Sequence, residues 1–159
     1  MKITQTRDYE TIALLNETVQ TLHATQFPSY FKPYEYGPIR DFFKEIITDP
    51  KQIFLLVEDD DVPIGYAWMT IRESTDSAFK KASKSIYIHQ ISINGSNSHN
   101  GAGSKLIAYT EQLAKDIGAA KIELDYWINN TIARNFYQKL GFTINREIAQ
   151  KELNSYGVK

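Results

Sequence analysis

The stretch SHNGAGSKLIAYTEQLA, residues 98–114, decides how the chain is organised. Gly101 and Gly103 stand directly before a helical pattern with Leu106, Leu113 and Ile117 on one face and Ile107 and Ala114 beside it. Gly118 closes that helix in the position where a left-handed residue is favoured. The first turn of a helix presents unpaired N–H groups and about half a positive charge. Glycines ahead of it let an anion reach the backbone, so this segment reads as a phosphate cradle.

Three ligand classes use such a cradle. A nucleoside triphosphate loop needs Gly-Lys-Ser/Thr after a spaced first glycine. Here the order is Gly103-Ser104-Lys105, and Ser98 occupies the first glycine's place, so that class is excluded. The dinucleotide fingerprint needs a third glycine where Leu106 stands, and it belongs in the first βαβ unit of a chain. The third class is coenzyme A bound by an acyltransferase. Lys105 near the positive helix end is disfavoured by up to ~1 kcal/mol, a sign that a bound pyrophosphate reverses. A surface lysine after a tight loop is the alternative reading at this point.

Working outward, SIYIHQISI (85–93) is rich in β-branched residues and reads as the strand feeding the glycine turn. IFLLVEDDDVPIGYAWMTI (53–71) reads as a hairpin turning at Asp59–Asp61, and the polar run Arg72–Lys84 as a loop. Lys2–Thr6 reads as a first strand. Ile12, Leu15, Val19 and Leu22 recur at helical spacing, and Pro38 suits the first position of a second helix. After the cradle come a strand at KIELDYW, a short helix at NNTIARNFYQKLGF and a last strand at FTINREIA. The order β α α β β β α β α β implies a single α/β domain over residues 1–153 with a polar tail at 154–159.

Composition narrows the function. Net charge is −1, so no overall field favours nucleic acid or an anionic membrane. Lys80, Lys81 and Lys84 form only a small basic cluster. Without cysteine there is no disulfide, thiolate metal site or Cys nucleophile. His23, His89 and His99 are too scattered for a metal site. No run is long enough to span a bilayer and the N-terminus has no apolar signal core, so a cytoplasmic protein is expected.

Two motifs then carry a resemblance. Ser98-His99-Asn100-Gly101-Ala102-Gly103 is similar to Arg/Gln-x-x-Gly-x-Gly/Ala, at the expected distance after the strand ending at Ile93. Asn130, Ala133, Tyr137, Gly141 and Phe142 are similar to Asn-x-x-Ala-x-x-x-Tyr followed by Gly-Phe. Together they resemble the GNAT family of N-acetyltransferases from Ile53 to about Ile148. The resemblance implies a mixed, mostly antiparallel central sheet of six to seven strands flanked by about four helices. Ser98 departs from the family's Arg or Gln, and His99 from its usual small residue.

What the resemblance implies about chemistry follows from these positions. Acetyl-CoA would be the cosubstrate, with no metal, its pyrophosphate on the N–H groups around Gly101, Ala102, Gly103 and Ser104, and Ser98, His99, Asn100 and Lys105 also binding it. Its pantetheine arm would pair with the strand Ser85–Ile93, touching Ile91, Ser92 and Ile93, and the backbone N–H near Ile91 and Ser92 would meet the thioester oxygen. Asn130, Ala133 and Tyr137 would complete the cofactor contacts. An amine would attack the thioester directly.

His89 occupies the family's Glu position on its strand and is the candidate base; a half-buried histidine packed beside Tyr87 is the alternative. Tyr137 is the candidate acid, with Ile132, Phe136 and Leu140 expected to form the buried face of its helix; an amphipathic packing tyrosine is the alternative. His23, Tyr30, Phe31 and Tyr34 lie where the family builds its acceptor pocket for a small-molecule or peptide amine. Core packing is the competing reading for Phe27 and Phe31. A catalytically weak CoA-binding module of the same fold is the rival function; under either reading the fold is compatible with a homodimer through a sheet edge or helix face.

Overall fold

The computed structural model describes residues 1–95 and 100–153. Ser98, His99 and the tail at 154–159 lie outside the described residues. The chain divides into two compact units, Met1–Asp125 and Tyr126–Lys159.

Among its described residues the first unit has one sheet and three α-helices in the order β1 (Lys2–Gln5), α1 (Tyr9–Gln26), α2 (Tyr36–Ile46), β2 (Gln52–Asp59), β3 (Val62–Ser74), β4 (Ser83–Ile93), α3 (Ala102–Asp116) and β5 (Lys121–Leu124). The strands lie in sequence order, antiparallel except for the parallel β4–β5 pair that α3 connects. Parallel strands need such a crossover, which is why the helix predicted after Gly103 sits where it does. The second unit contains α4 (Thr131–Lys139).

The sheet has five strands among the described residues, not six to seven. The expected last strand at FTINREIA forms none, and Ile144 and Ile148 are exposed. Arg72–Lys84 is not all loop: β3 runs to Ser74 and β4 starts at Ser83. That ribbon is held by ladder bonds, a Ser74–Ser83 hydroxyl contact at 2.8 Å and a Lys84–Glu73 ion pair at 3.1 Å, with no apolar alternation to announce it. Pro38 stands third in α2 rather than first, still within the turn whose N–H groups lack helical acceptors. Asp8 caps α1, accepting the Thr11 N–H at 3.0 Å. Asp60 and Asp61 take positive φ (48° and 59°), the left-handed pair that a two-residue hairpin turn requires.

Period-two alternation sorts the strands' side chains onto two faces. Phe54, Leu56 and Tyr66 pack with Ile12, Ala13, Leu15 and Phe43 of α1 and α2. The alternate set, Leu55, Val57, Met69, Ile86 and Ile88, lies on the α3 side, with Leu106, Ile107 and Thr110 buried beneath that helix. Phe43 is 2% exposed and meets Phe54, Tyr66 and Trp68 edge-on at 5.7, 6.2 and 5.8 Å. Burying such a ring stabilises by about 1.5–3 kcal/mol. No helix among the described residues is long and apolar enough to cross a membrane.

Candidate active site

The β3–β4 ladder breaks register at one place. Trp68 pairs with Gln90 and Met69 with Ile88, so His89 is an extra residue on β4. A bulge of this kind re-aims a side chain. Here it turns His89 and Gln90 to the same face. His89 stacks on Trp68 with centroids 4.2 Å apart, while Gln90 joins a buried network on the α1 side. In that network Asn16 Nδ2 donates to Tyr66 Oη at 2.8 Å and Gln90 Oε1 at 3.2 Å, and Tyr66 donates to Gln90 Oε1 at 2.6 Å. The network holds β4 to α1 one residue past the bulge.

His89 is exposed although Trp68 covers one ring face. Its Nε2 lies 2.7 Å from Thr70 Oγ1, and Tyr87 meets its ring edge-on at 4.9 Å. Partial burial pushes its pKa below the usual 6.5, the Arg72 charge adds to that, and Asp125 opposes it. The imidazole is therefore neutral at pH 7, with a lone pair on one nitrogen. Arg72 sits over the Tyr87 ring, 3.5 Å from its centroid, and the Tyr87 hydroxyl donates to Asp125. Burial first, and then the Asp125 carboxylate, push Tyr87 up to about 12.

Past the bulge the outer edge of β4 is unpaired among the described residues; the expected pairing edge Ser85–Ile93 is shortened to this part, because Ser85–Ile88 are already paired with β5. Its pairing with β5 ends at Ile88–Leu124, whereas its pairing with β3 continues to Ile93–Gly65. Asn94 N–H donates to the Ile64 carbonyl at 2.8 Å. Antiparallel ladders alternate, so Ser92 and Gln90 also direct their backbone groups to β3, and Ile91 and Ile93 direct theirs outward. The Ser92 hydroxyl donates to the Leu15 carbonyl at 3.3 Å. Of the predicted pair of carbonyl-oxygen donors, Ile91 thus has the outward N–H and Ser92 does not. Gly65 permits this close packing: a Cβ there would lie 2.5 Å from both the Ser92 oxygen and Ile93 Cδ1.

At the N-terminus of α3, Gly101 adopts φ 74°, ψ 13° and takes the cap position without a side-chain bond. The first helical bond runs from Lys105 N–H to the Gly101 carbonyl at 3.1 Å. The N–H groups of Ala102, Gly103 and Ser104 precede it and have no acceptor within the helix. No residue in the first turn is acidic, and Ser104 and Lys105 are exposed. Asn100 and Gly101 are exposed too, while Ala102 is fully buried and contributes only backbone. These donors and the outward edge of β4 both suit an anionic, amide-bearing cosubstrate.

In the second unit, Asn130 caps α4, accepting the Ala133 N–H at 3.0 Å. Tyr137 lies among Tyr126, Phe136 and Phe142, at 6.0, 5.1 and 5.5 Å between ring centroids. Burial raises its hydroxyl to about 12, so it keeps its proton. Ile132, expected on the buried face, is 84% exposed; Phe136 and Leu140 are partly covered. The aromatic partners sit on the Tyr137 side, which is why the face is rotated from the one apolar spacing suggested.

The predicted acceptor residues fall into two places. His23 stacks on Phe31 at 4.8 Å, and Tyr30 meets Phe31 edge-on at 4.9 Å, forming an aromatic knot at the end of α1. Tyr34 donates to the Ala13 carbonyl at 2.8 Å and so ties the loop to α1. Sequence reasoning missed Gln52, Thr70, Arg72 and Asp125 around His89. Their signal is register, since Thr70 stands opposite Tyr87 and Arg72 opposite Ser85, and register becomes readable only once the bulge is known. Among the described residues no group of three His, Cys, Asp or Glu could hold a metal.

The Acetyltransferase (GNAT) family model matches residues 16–142, and the chain belongs to that family. The tetramutant of the BH1408 protein from Bacillus halodurans is 20% identical with a TM-score of 0.89, over 96% of this chain and 100% of that one. AAC(6′)-Iy, in complex with the bisubstrate analogue CoA-S-monomethyl-acetylneamine, is 21% identical with a TM-score of 0.68, over 96% and 97%. Apo aminoglycoside 6′-N-acetyltransferase AAC(6′)-IG from Acinetobacter haemolyticus is 15% identical with a TM-score of 0.70, over 97% and 99%. At these identities the likeness establishes a shared fold. A search of curated proteins finds no match.

Proposed function

We propose that this protein is an acetyl-CoA-dependent N-acetyltransferase of the cytoplasm that acetylates a primary amine of a small molecule or peptide. One observation carries the reading: β4 opens its edge at the residue where it bulges, putting His89 beside the outward backbone of Ile91 and Ile93. Family membership and the fold shared with AAC(6′)-Iy, bound there to a CoA bisubstrate analogue, support it.

The N–H groups of Ala102, Gly103 and Ser104 bind the pyrophosphate, and the β4 edge pairs with the pantetheine amides. The acceptor arrives as an ammonium ion, and His89 takes one proton from it. The amine lone pair then forms the N–C bond to the thioester carbon while the C–S bond breaks, its electrons leaving with sulfur. Ile91 N–H stabilises the charge that develops on the carbonyl oxygen. The nitrogen sheds a second proton, the thiolate gains one, and one proton is released overall. By its match to the family motif, Tyr137 is the proposed donor to the thiolate. With its pKa near 12 against about 8.5 for an ordinary thiol, it acts first as a hydrogen-bond donor to the sulfur.

A screen of amines with acetyl-CoA, read by product mass, tests the proposal. Acetylated product is expected with at least one amine, and Tyr137→Phe should slow its formation. Tight acetyl-CoA binding with no product from any amine would leave the CoA-binding module instead. No heat of binding with either CoA or acetyl-CoA would end both readings.

A further inference from the structure

A chain of hydrogen bonds ends on His89 and leaves only one arrangement of protons. The Trp68 indole N–H can only donate, and it lies 2.8 Å from Gln52 Oε1. The amide atom facing the indole must therefore be oxygen, because an NH₂ group there would oppose donor to donor. The same oxygen lies 2.9 Å from Thr70 Oγ1. An amide oxygen only accepts, so the single hydroxyl proton of Thr70 is committed to Gln52. Thr70 Oγ1 is also 2.7 Å from His89 Nε2, and with its proton committed it can only accept there.

We infer that Trp68, Gln52 and Thr70 hold neutral His89 as the Nε2–H tautomer, leaving Nδ1 as the nitrogen that takes the acceptor's proton. Gln52 and Thr70 are positioning residues, acting through the imidazole. Trp68 contributes twice: its ring lies against His89 at 4.2 Å with planes 20° apart, and its N–H sets the Gln52 amide. Nδ1 has no hydrogen-bond partner among the described residues, and His89 is exposed. The inference rests on His89 as the base and names which of its nitrogens does the work.

Protein labelled with ¹⁵N-histidine, studied by long-range ¹H–¹⁵N correlation above the pKa of His89, reads the tautomer directly. A His89→Gln sample identifies the signal. The expected pattern is a protonated Nε2 and an unprotonated Nδ1 in the wild type. Gln52→Ala frees the Thr70 hydroxyl proton and should give a mixture of tautomers. Its kcat should fall in proportion to the share of Nδ1–H tautomer that the same spectrum reads, with KM for acetyl-CoA unchanged. Gln52→Glu keeps an acceptor for both donors and should restore the wild-type pattern. An Nδ1–H signal in the wild type, or an unaltered pattern in Gln52→Ala, overturns the inference. Should Gln52→Ala fail to fold, the wild-type spectrum decides alone. If the tautomer is as stated but His89→Ala turns over normally, the base assignment falls and the proton arrangement stands. If His89→Ala is inactive and the tautomer is the other one, the reverse holds.

Discussion

His89 lies flat on Trp68, with ring centroids 4.2 Å apart and planes inclined by 20°. The stack removes water from one imidazole face while Arg72 adds a positive charge nearby, and both disfavour the imidazolium ion. Acetyl transfer should therefore lose rate with acid only below the ordinary histidine value of 6.5. Arg72→Gln should shift that acidic limb to higher pH, and Asp125→Asn to lower pH. Profiles of kcat/KM against pH for the three proteins check both signs. A His89→Ala variant with the same rate at every pH would remove His89 from the mechanism.

His23 shares the depressed pKa, through burial. Both imidazoles bind a proton less readily folded than unfolded. Their contribution to stability is then complete above the ordinary value of 6.5 and declines as pH falls through it. Urea midpoints at pH 7.5 and 5.5 should show the protein less stable at the lower pH, and replacing both histidines by Gln should narrow the difference.

Gly65→Ala puts a methyl group 2.5 Å from the Ser92 carbonyl oxygen, a backbone atom that cannot step aside. β3 and β4 must separate just where Ile91 and Ile93 face outward. The expected loss of stability is about 1–3 kcal/mol, by denaturant unfolding. Weaker acetyl-CoA binding in calorimetry should accompany it.

Gly101→Ala forces an alanine to φ 74°, at a cost of about 1–2 kcal/mol. Gly101→Asn should be milder, because a short polar side chain tolerates that region. Gly103→Val leaves the helix in place and obstructs approach to its N–H groups. It should weaken acetyl-CoA without a comparable change in unfolding midpoint; unaltered affinity in the folded variant counts against the cradle.

Phe43→Ala should destabilise by about 3–5 kcal/mol, because the ring is 2% exposed between α1, α2 and the sheet. Thermal unfolding measures it, and a loss under 1 kcal/mol would show that the site collapses around the void.

The sequence announced what burial writes into it. β2 and the start of β3 were legible because Ile53–Val57 is a continuous apolar run met by an acidic turn. α3 was legible because Leu106, Ile107 and Ala114 share a face. The outer β3–β4 ribbon was not, since Glu73, Ser74 and Ser83 are exposed and held by ladder bonds and polar pairs. FTINREIA alternates like a strand, yet alternation needs an edge to pair with, and none takes it among the described residues. His89 could be named from its place on the strand, but its surroundings could not. The bulge is a matter of pairing between chains of residues far apart, and Gln52 and Thr70 reach His89 only through it.

Met69 opposite Ile88 and Trp68 opposite Gln90 would be neighbouring rungs if position 89 were deleted. The scaffold is geometrically whole without that residue, and its pleat would become regular. A chain shortened by this one residue should therefore fold into a version of the same sheet with no imidazole on β4. On the proposed mechanism the base comes from an insertion rather than a replacement, so it can be taken away or put back without rebuilding what surrounds it.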